Sequence, residues 1–215
     1  MRQRIGFCRA RDGVRIAYAT AGNGPPLMRV GGWLTHVERD WDSPVWRAWL
    51  RELTHQHTLA RFDIRGSGLS DHRVDEQGLE AWVADLEAVV DDLGWRRFPL
   101  LGICQGGAIA LAFAAQHPER VSRLVLYNAY AQGAYTAGVP ETKARETRAL
   151  ASMIDVGWGS STGAFREVFA RLFSPRDAGE QVAWWEQLQR LTAPPGNAAR
   201  LWQAFNELDV RGRLA

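Results

Sequence analysis

Alternating strand and helix signals predict an α/β protein: a doubly wound, mostly parallel sheet with a helical lid. Three observations carry this expectation. Residues 98–103 and 124–127 are continuous apolar runs, the form taken by strands buried on both faces of a parallel sheet. Helical patterns fall between the strand signals, as β-α-β crossovers require. After Tyr130 no further strand is convincing and only helical patterns recur. The division expected is a core over residues 1–130, a lid over 131–210 and a short lead-in to further core at 211–215.

Taken in order, residues 1–6 run directly into a strand-like segment with no apolar signal-peptide core. Residues 14–20 alternate with period two, as an early strand does. The turn cluster at 22–26 precedes a short buried strand at 27–30. Trp46, Trp49, Leu50 and Leu53 share one helical face, and residues 58–62 form the next strand. Residues 79–93 form an amphipathic helix with Trp82, Leu86, Val89, Val90 and Leu93 inward, ended by Gly94. A helix at 106–116 joins the two apolar strands before His117-Pro118. Lid helices are expected at 142–154, 164–172, 178–191 and 197–208, with breaks at 157–161 and 194–196.

Composition narrows the classes. Of 215 residues, 46% are apolar and 23% charged, an ordinary globular balance. A net charge of +2 offers no basic field for nucleic acid. The longest apolar stretch, residues 100–115, is broken by Gln105 and three glycines, so it reads as strand-turn-helix and no membrane partner is implied. Cys8 and Cys104 suggest neither a disulfide framework nor a metal cluster. The cytoplasm is the expected compartment. No phosphate loop or cofactor motif is present, so neither a cofactor nor a metal is expected. Several of the ten tryptophans fall after residue 150, where a lid would bury them or line a pocket with them.

The chemistry sits in Gly102-Ile103-Cys104-Gln105-Gly106. A nucleophile between a strand and a helix must turn sharply, and glycines two positions to either side relieve the crowding. Such a turn aims the Cys104 side chain into a cleft where the following helix presents its N–H groups and positive end. That field is expected to lower the thiol below its ordinary value of about 8.5. A small buried cysteine at a glycine packing contact is the plainer alternative.

Four stretches together resemble the α/β-hydrolase superfamily, in particular the bacterial branch joined to nucleotide cyclase or helix-turn-helix regulatory domains. They are residues 12–18, Gly31-Gly32-Trp33, residues 63–71, and residues 102–107 with 117–121. The resemblance implies Cys104 as nucleophile, with an oxyanion hole made by the main-chain N–H groups of Trp33 and Gln105. The Trp33 ring also suits an aromatic plug beneath the lid. The motif at residues 63–70 is read as structural, with Gly66 and Gly68 in a tight turn held by Asp63 and Arg65.

Cysteine stands where relatives carry serine, a change compatible with acyl transfer. The order implied by the resemblance is nucleophile, acid, histidine. The only histidine beyond Cys104 is His117, at the far end of the next helix and roughly 18 Å along it. Asn128 holds a place where an acid is sometimes found, and Asp209 lies at the expected lid exit. Two further strands bearing acid and histidine would follow Ala215, so the chain is expected to be a C-terminally truncated relative. Of the upstream histidines, His36 is the one placed near the cleft, either as a base or packed against Trp33 or Trp41. Without its neighbours the strand at 124–127 becomes an edge, open to pairing with another copy unless the helical segment covers it.

Three functions follow. The chain is expected to be a hydrolase acting on an ester or similar acyl compound, with a small apolar acyl substrate as its partner. The alternatives are a non-catalytic sensor of a small apolar ligand and an inactive gene fragment.

Overall fold

The computed structural model of the chain describes residues 2–158, 160, 163–174 and 179–214. Among them a six-stranded mixed sheet is ordered β1-β2-β4-β3-β5-β6. Its strands are β1 (Arg4–Arg9), β2 (Arg15–Ala21), β3 (Pro26–Val30), β4 (Thr58–Phe62), β5 (Phe98–Ile103) and β6 (Val121–Tyr127). The β1-β2 and β2-β4 pairs are antiparallel and the other three pairs parallel, as the expected mostly parallel sheet requires.

Helices α1 (Arg47–Gln56), α2 (Leu79–Asp92) and α3 (Gly106–Gln116) cross between strands. Packing of α2 and α3 buries one sheet face over Trp82, Val89, Val90, Ile109 and Phe113. On the other face α1 closes a smaller core of Leu27, Leu50, Leu59, Leu101 and Ile103. The sheet is therefore covered from both sides. β4 lies on one side of β3 and β5 on the other, so the winding reverses there. Ligand crevices of open α/β sheets form at such a reversal, outside the carboxyl ends of the strands. Those ends here are Val30 and Ile103.

The remaining helices are α4 (Glu141–Gly157), α5 (Gly163–Phe173), α6 (Glu180–Thr192) and α7 (Pro195–Asn206). All four helices expected in this segment are present, with bounds shifted by one to three residues. Gly159, Ser161 and Ala178, which belonged to those expectations, lie outside the described residues. Entry to and exit from this segment are tied together: Gly133 N–H donates to Leu208 O at 2.7 Å and Val210 N–H to Ala131 O at 2.8 Å. The aromatic residues pin the segment to the core. Trp82 stacks on Phe205 at 4.1 Å, and Trp33 on Trp158 at 5.1 Å.

Two expectations need correction. The strand at 124–127 is not buried on both faces: Val125, Leu126 and Tyr127 are 53%, 43% and 51% exposed. An apolar run reports the preference of its side chains, whereas β6 is, among the described residues, the last strand of the sheet with one neighbour. Trp49, expected inward on α1, is 40% exposed and rests its ring on Tyr127 of that same edge at 4.9 Å. No helix among the described residues is long and apolar enough to cross a membrane.

Candidate active site

β5 ends at Ile103, α3 begins at Gly106, and Cys104 makes the turn between them with a φ of 51°. That left-handed backbone is disfavoured for any residue with a Cβ and holds only because the surroundings determine it. Three bonds do so. Cys104 N–H donates to Tyr127 O at 3.1 Å, Gly107 N–H to Cys104 O at 3.0 Å, and Ala108 N–H to Gln105 O at 3.2 Å.

The glycines are sterically required. A Cβ at Gly106 would fall on the carbonyl oxygen of Val30 and lie 2.6 Å from that of Gly31. One at Gly102 would lie 2.8 Å from Gly107 Cα. Backbone cannot move aside as a flexible side chain does. Gly106→Ala is therefore expected to cost about 1–3 kcal/mol in stability, read from urea denaturation.

The Cys104 thiol opens into a cleft of about 240 Å³ bounded by Gly31, Gly32, Trp33 and Gln105. Its remaining walls include Arg29 from β3, Trp46 before α1, Asn128 after β6, Phe173 of α5 and Trp185 of α6. Trp33 keeps its ring 1% exposed among Trp158, Phe169 and Trp202 while its main chain borders the cleft. Among the described residues, neither the Trp33 nor the Gln105 main-chain N–H has a protein acceptor. Two unused donors beside a sulfur are what an oxyanion would need.

Electrostatics at the sulfur differ from the sequence expectation. Burial pushes the Cys104 thiol up, and this outweighs the downward pull of Asn128, whose Nδ2 donates to Sγ at 3.8 Å, and of Arg29. The helix-end argument counted the favourable field but not the loss of water around a half-buried sulfur. Alkylation of Cys104 by iodoacetamide is thus expected to have its pH midpoint above that of a free cysteine, followed by peptide mass across a pH series.

His36 does not line this cleft. It is 5% exposed, its Nδ1 accepts from Arg39 N–H at 3.4 Å, and burial lowers its pKa. His117 sits at the far end of α3, with its ring 4.7 Å from Phe113 and Nε2 3.6 Å from Glu87. Asp209 pairs with Arg211 at 2.6 Å beside the exit of the helical segment. Among the described residues, no histidine or carboxylate lines the cleft.

Sequence reasoning did not place Arg29, Trp46 or Phe173 at the cleft, whereas Trp185 is among the tryptophans after residue 150 expected to be buried or to line a pocket. A signal existed for Arg29, a charged residue inside a central parallel strand. A shallower hollow of about 490 Å³ between β1 and α2 contains Cys8, whose thiol burial and Asp92 push up to about 12. Among the described residues, no group of three or more His, Cys, Asp or Glu side chains is placed to hold a metal.

Comparison with known proteins agrees with this fold. A family model described as alpha/beta hydrolase fold matches residues 25–212. Epoxide hydrolase 4 of Mus musculus is 33% identical over 126 residues, covering 57% of this chain and 34% of that protein. The 2-hydroxymuconate semialdehyde hydrolase of Pseudomonas sp. (strain CF600) is 37% identical over 115 residues, covering 53% and 40%. The alignments thus span well under half the length of these curated relatives. Among solved structures, a bromoperoxidase from Bacillus anthracis superposes with a TM-score of 0.78 at 17% identity, covering 98% of this chain and 77% of that one. An esterase from Rhodococcus sp. ECU1013 gives 0.72 at 24%, covering 98% and 75%. At these identities the superpositions speak for the fold alone.

Proposed function

The chain belongs to the alpha/beta hydrolase fold family, and on that premise we propose that it takes a small, largely apolar acyl compound into the Cys104 cleft and is acylated on that sulfur. The thiolate attacks the acyl carbonyl, forming a C–S bond. The Trp33 and Gln105 N–H groups receive the oxyanion, and collapse breaks the bond to the leaving alcohol, which carries off the proton the thiol gave up. Residues 131–210 act as the lid in this reading, supported by the contribution of Phe173 and Trp185 to the cleft wall. Relatives named as epoxide hydrolases and a semialdehyde hydrolase support a small-molecule substrate.

One observation carries the proposal: the positive φ of Cys104 at the end of β5, in a cleft bordered by two N–H donors with no protein acceptor among the described residues. The test is p-nitrophenyl butyrate given to the wild type and to Cys104→Ala. Nitrophenolate released by the wild type alone supports the reading; equal release from both overturns it.

A cleft with no histidine or carboxylate among its described residues, and a thiol raised by burial, favour a second reading, a ligand-binding module without turnover. Saturable binding with no nitrophenolate would select it. The exposed β6 edge supports pairing with a second copy, and two free cysteines support a reducing compartment such as the cytoplasm.

A further inference from the structure

Among the described residues three arginines are buried, and Arg29 differs from the other two. Arg65 is held by Asp85 and Asp12. Arg61 donates to Val37 O at 2.6 Å and to Gln3. Arg29 is 3% exposed and has no hydrogen-bond acceptor among the described residues. It is ion-paired with Asp40, 3.9 Å from Nη1 and too far for a hydrogen bond, and it shares that carboxylate with Arg61 at 3.7 Å. A guanidinium this buried that makes no hydrogen bond is costly, and such groups ordinarily find an acceptor.

The surroundings show where an acceptor would come from. Arg29 lines the same cleft as Cys104 and Gln105. Its guanidinium lies over the Trp46 ring, with Cζ 4.6 Å from the centroid, a cation–π contact that leaves the N–H donors without an acceptor. Trp46, Phe173 and Trp185 give the wall a large apolar share, beside the polar side chains of Thr35, Gln105 and Asn128. A planar fork in such a cleft is matched by a carboxylate, which accepts two parallel N–H bonds.

We infer that Arg29 is the specificity-determining residue of this cleft, binding a carboxylate at the far end of a short acyl compound whose carbonyl lies toward Cys104. The substrate class is then a monoester of a short dicarboxylic acid or a close relative. The inference rests on the acyl reading of the cleft only for the carbonyl end; the anion end stands on Arg29.

The probes are monomethyl glutarate and its neutral dimethyl ester, titrated into the full chain with tryptophan fluorescence or calorimetry as the readout. The wild type is expected to bind the monoanion at least about tenfold more tightly than the neutral ester. Arg29→Met, with unchanged circular dichroism, is expected to bring that ratio close to one. Should Arg29→Met not fold, Arg29→Lys keeps the charge without the fork and is expected to lower the ratio by about threefold. A wild-type ratio near one, no binding of either ester, or a ratio untouched by the substitutions would overturn the inference.

Acylation of Cys104 by p-nitrophenyl butyrate is read by mass on the same preparation. Charge preference without acylation removes the nucleophile and leaves Arg29 in place. Acylation without charge preference does the reverse.

Discussion

Mixed with p-nitrophenyl butyrate, the chain is expected to release about one equivalent of nitrophenolate and then nearly stop. The first step needs a nucleophile and an oxyanion site, the roles proposed for Cys104 and for the Trp33 and Gln105 N–H groups. Deacylation needs a base to activate water, and among the described residues no carboxylate or histidine lines the cleft. The trapped butyryl group is expected on the peptide carrying Cys104 and to be absent from Cys104→Ala. Because burial raises the thiol, the burst rate is expected to climb with pH above neutrality. Sustained turnover at neutral pH would show that a base reaches the sulfur, and a butyryl group on Cys8 would show that the elbow confers no selectivity.

The largest stability loss is expected from Arg65→Leu, on the order of 3–5 kcal/mol by urea denaturation. Arg65 and Asp85 have side chains 1% and 0% exposed. Arg65 reaches Asp85 through Nε at 3.0 Å and Nη2 at 2.7 Å. Through Asp12 it also ties the turn between β1 and β2 to α2. Removing the arginine leaves a carboxylate in the core that burial already pushes toward protonation. The double variant Arg65→Leu/Asp85→Leu is expected to recover most of the loss, since it removes the lone charge with its partner. Asp12→Ala, at a carboxylate 46% exposed, is expected to cost no more than about 1 kcal/mol. A single-variant loss near that of Asp12→Ala would mean that the pair is hydrated.

Arg65 also shows how far sequence reading reached. Its motif at residues 63–70 was legible as a structural turn, and Asp63 does accept from Val37 N–H at 3.0 Å and Leu69 N–H at 2.9 Å. The partner that makes Arg65 indispensable, Asp85, sits twenty residues on in a helix whose apolar stripe said nothing of a buried acid. Arg29 is similar: a charge in a central strand is visible, but not the Trp46 ring beneath it or the cleft beside it.

By itself the sequence determined what depends on near neighbours along the chain. The strand and helix periods, the glycines around Cys104 and the placement of His117 a helix away from it all follow from backbone geometry over a few residues. Tertiary structure alone decided which side chains share the cleft, which edge of the sheet stays open, that His36 does not line the cleft, and that the Cys104 thiol is raised and not lowered. Each of these is a sum over atoms brought together from distant segments, and desolvation in particular has no value until the whole surface around a group is known.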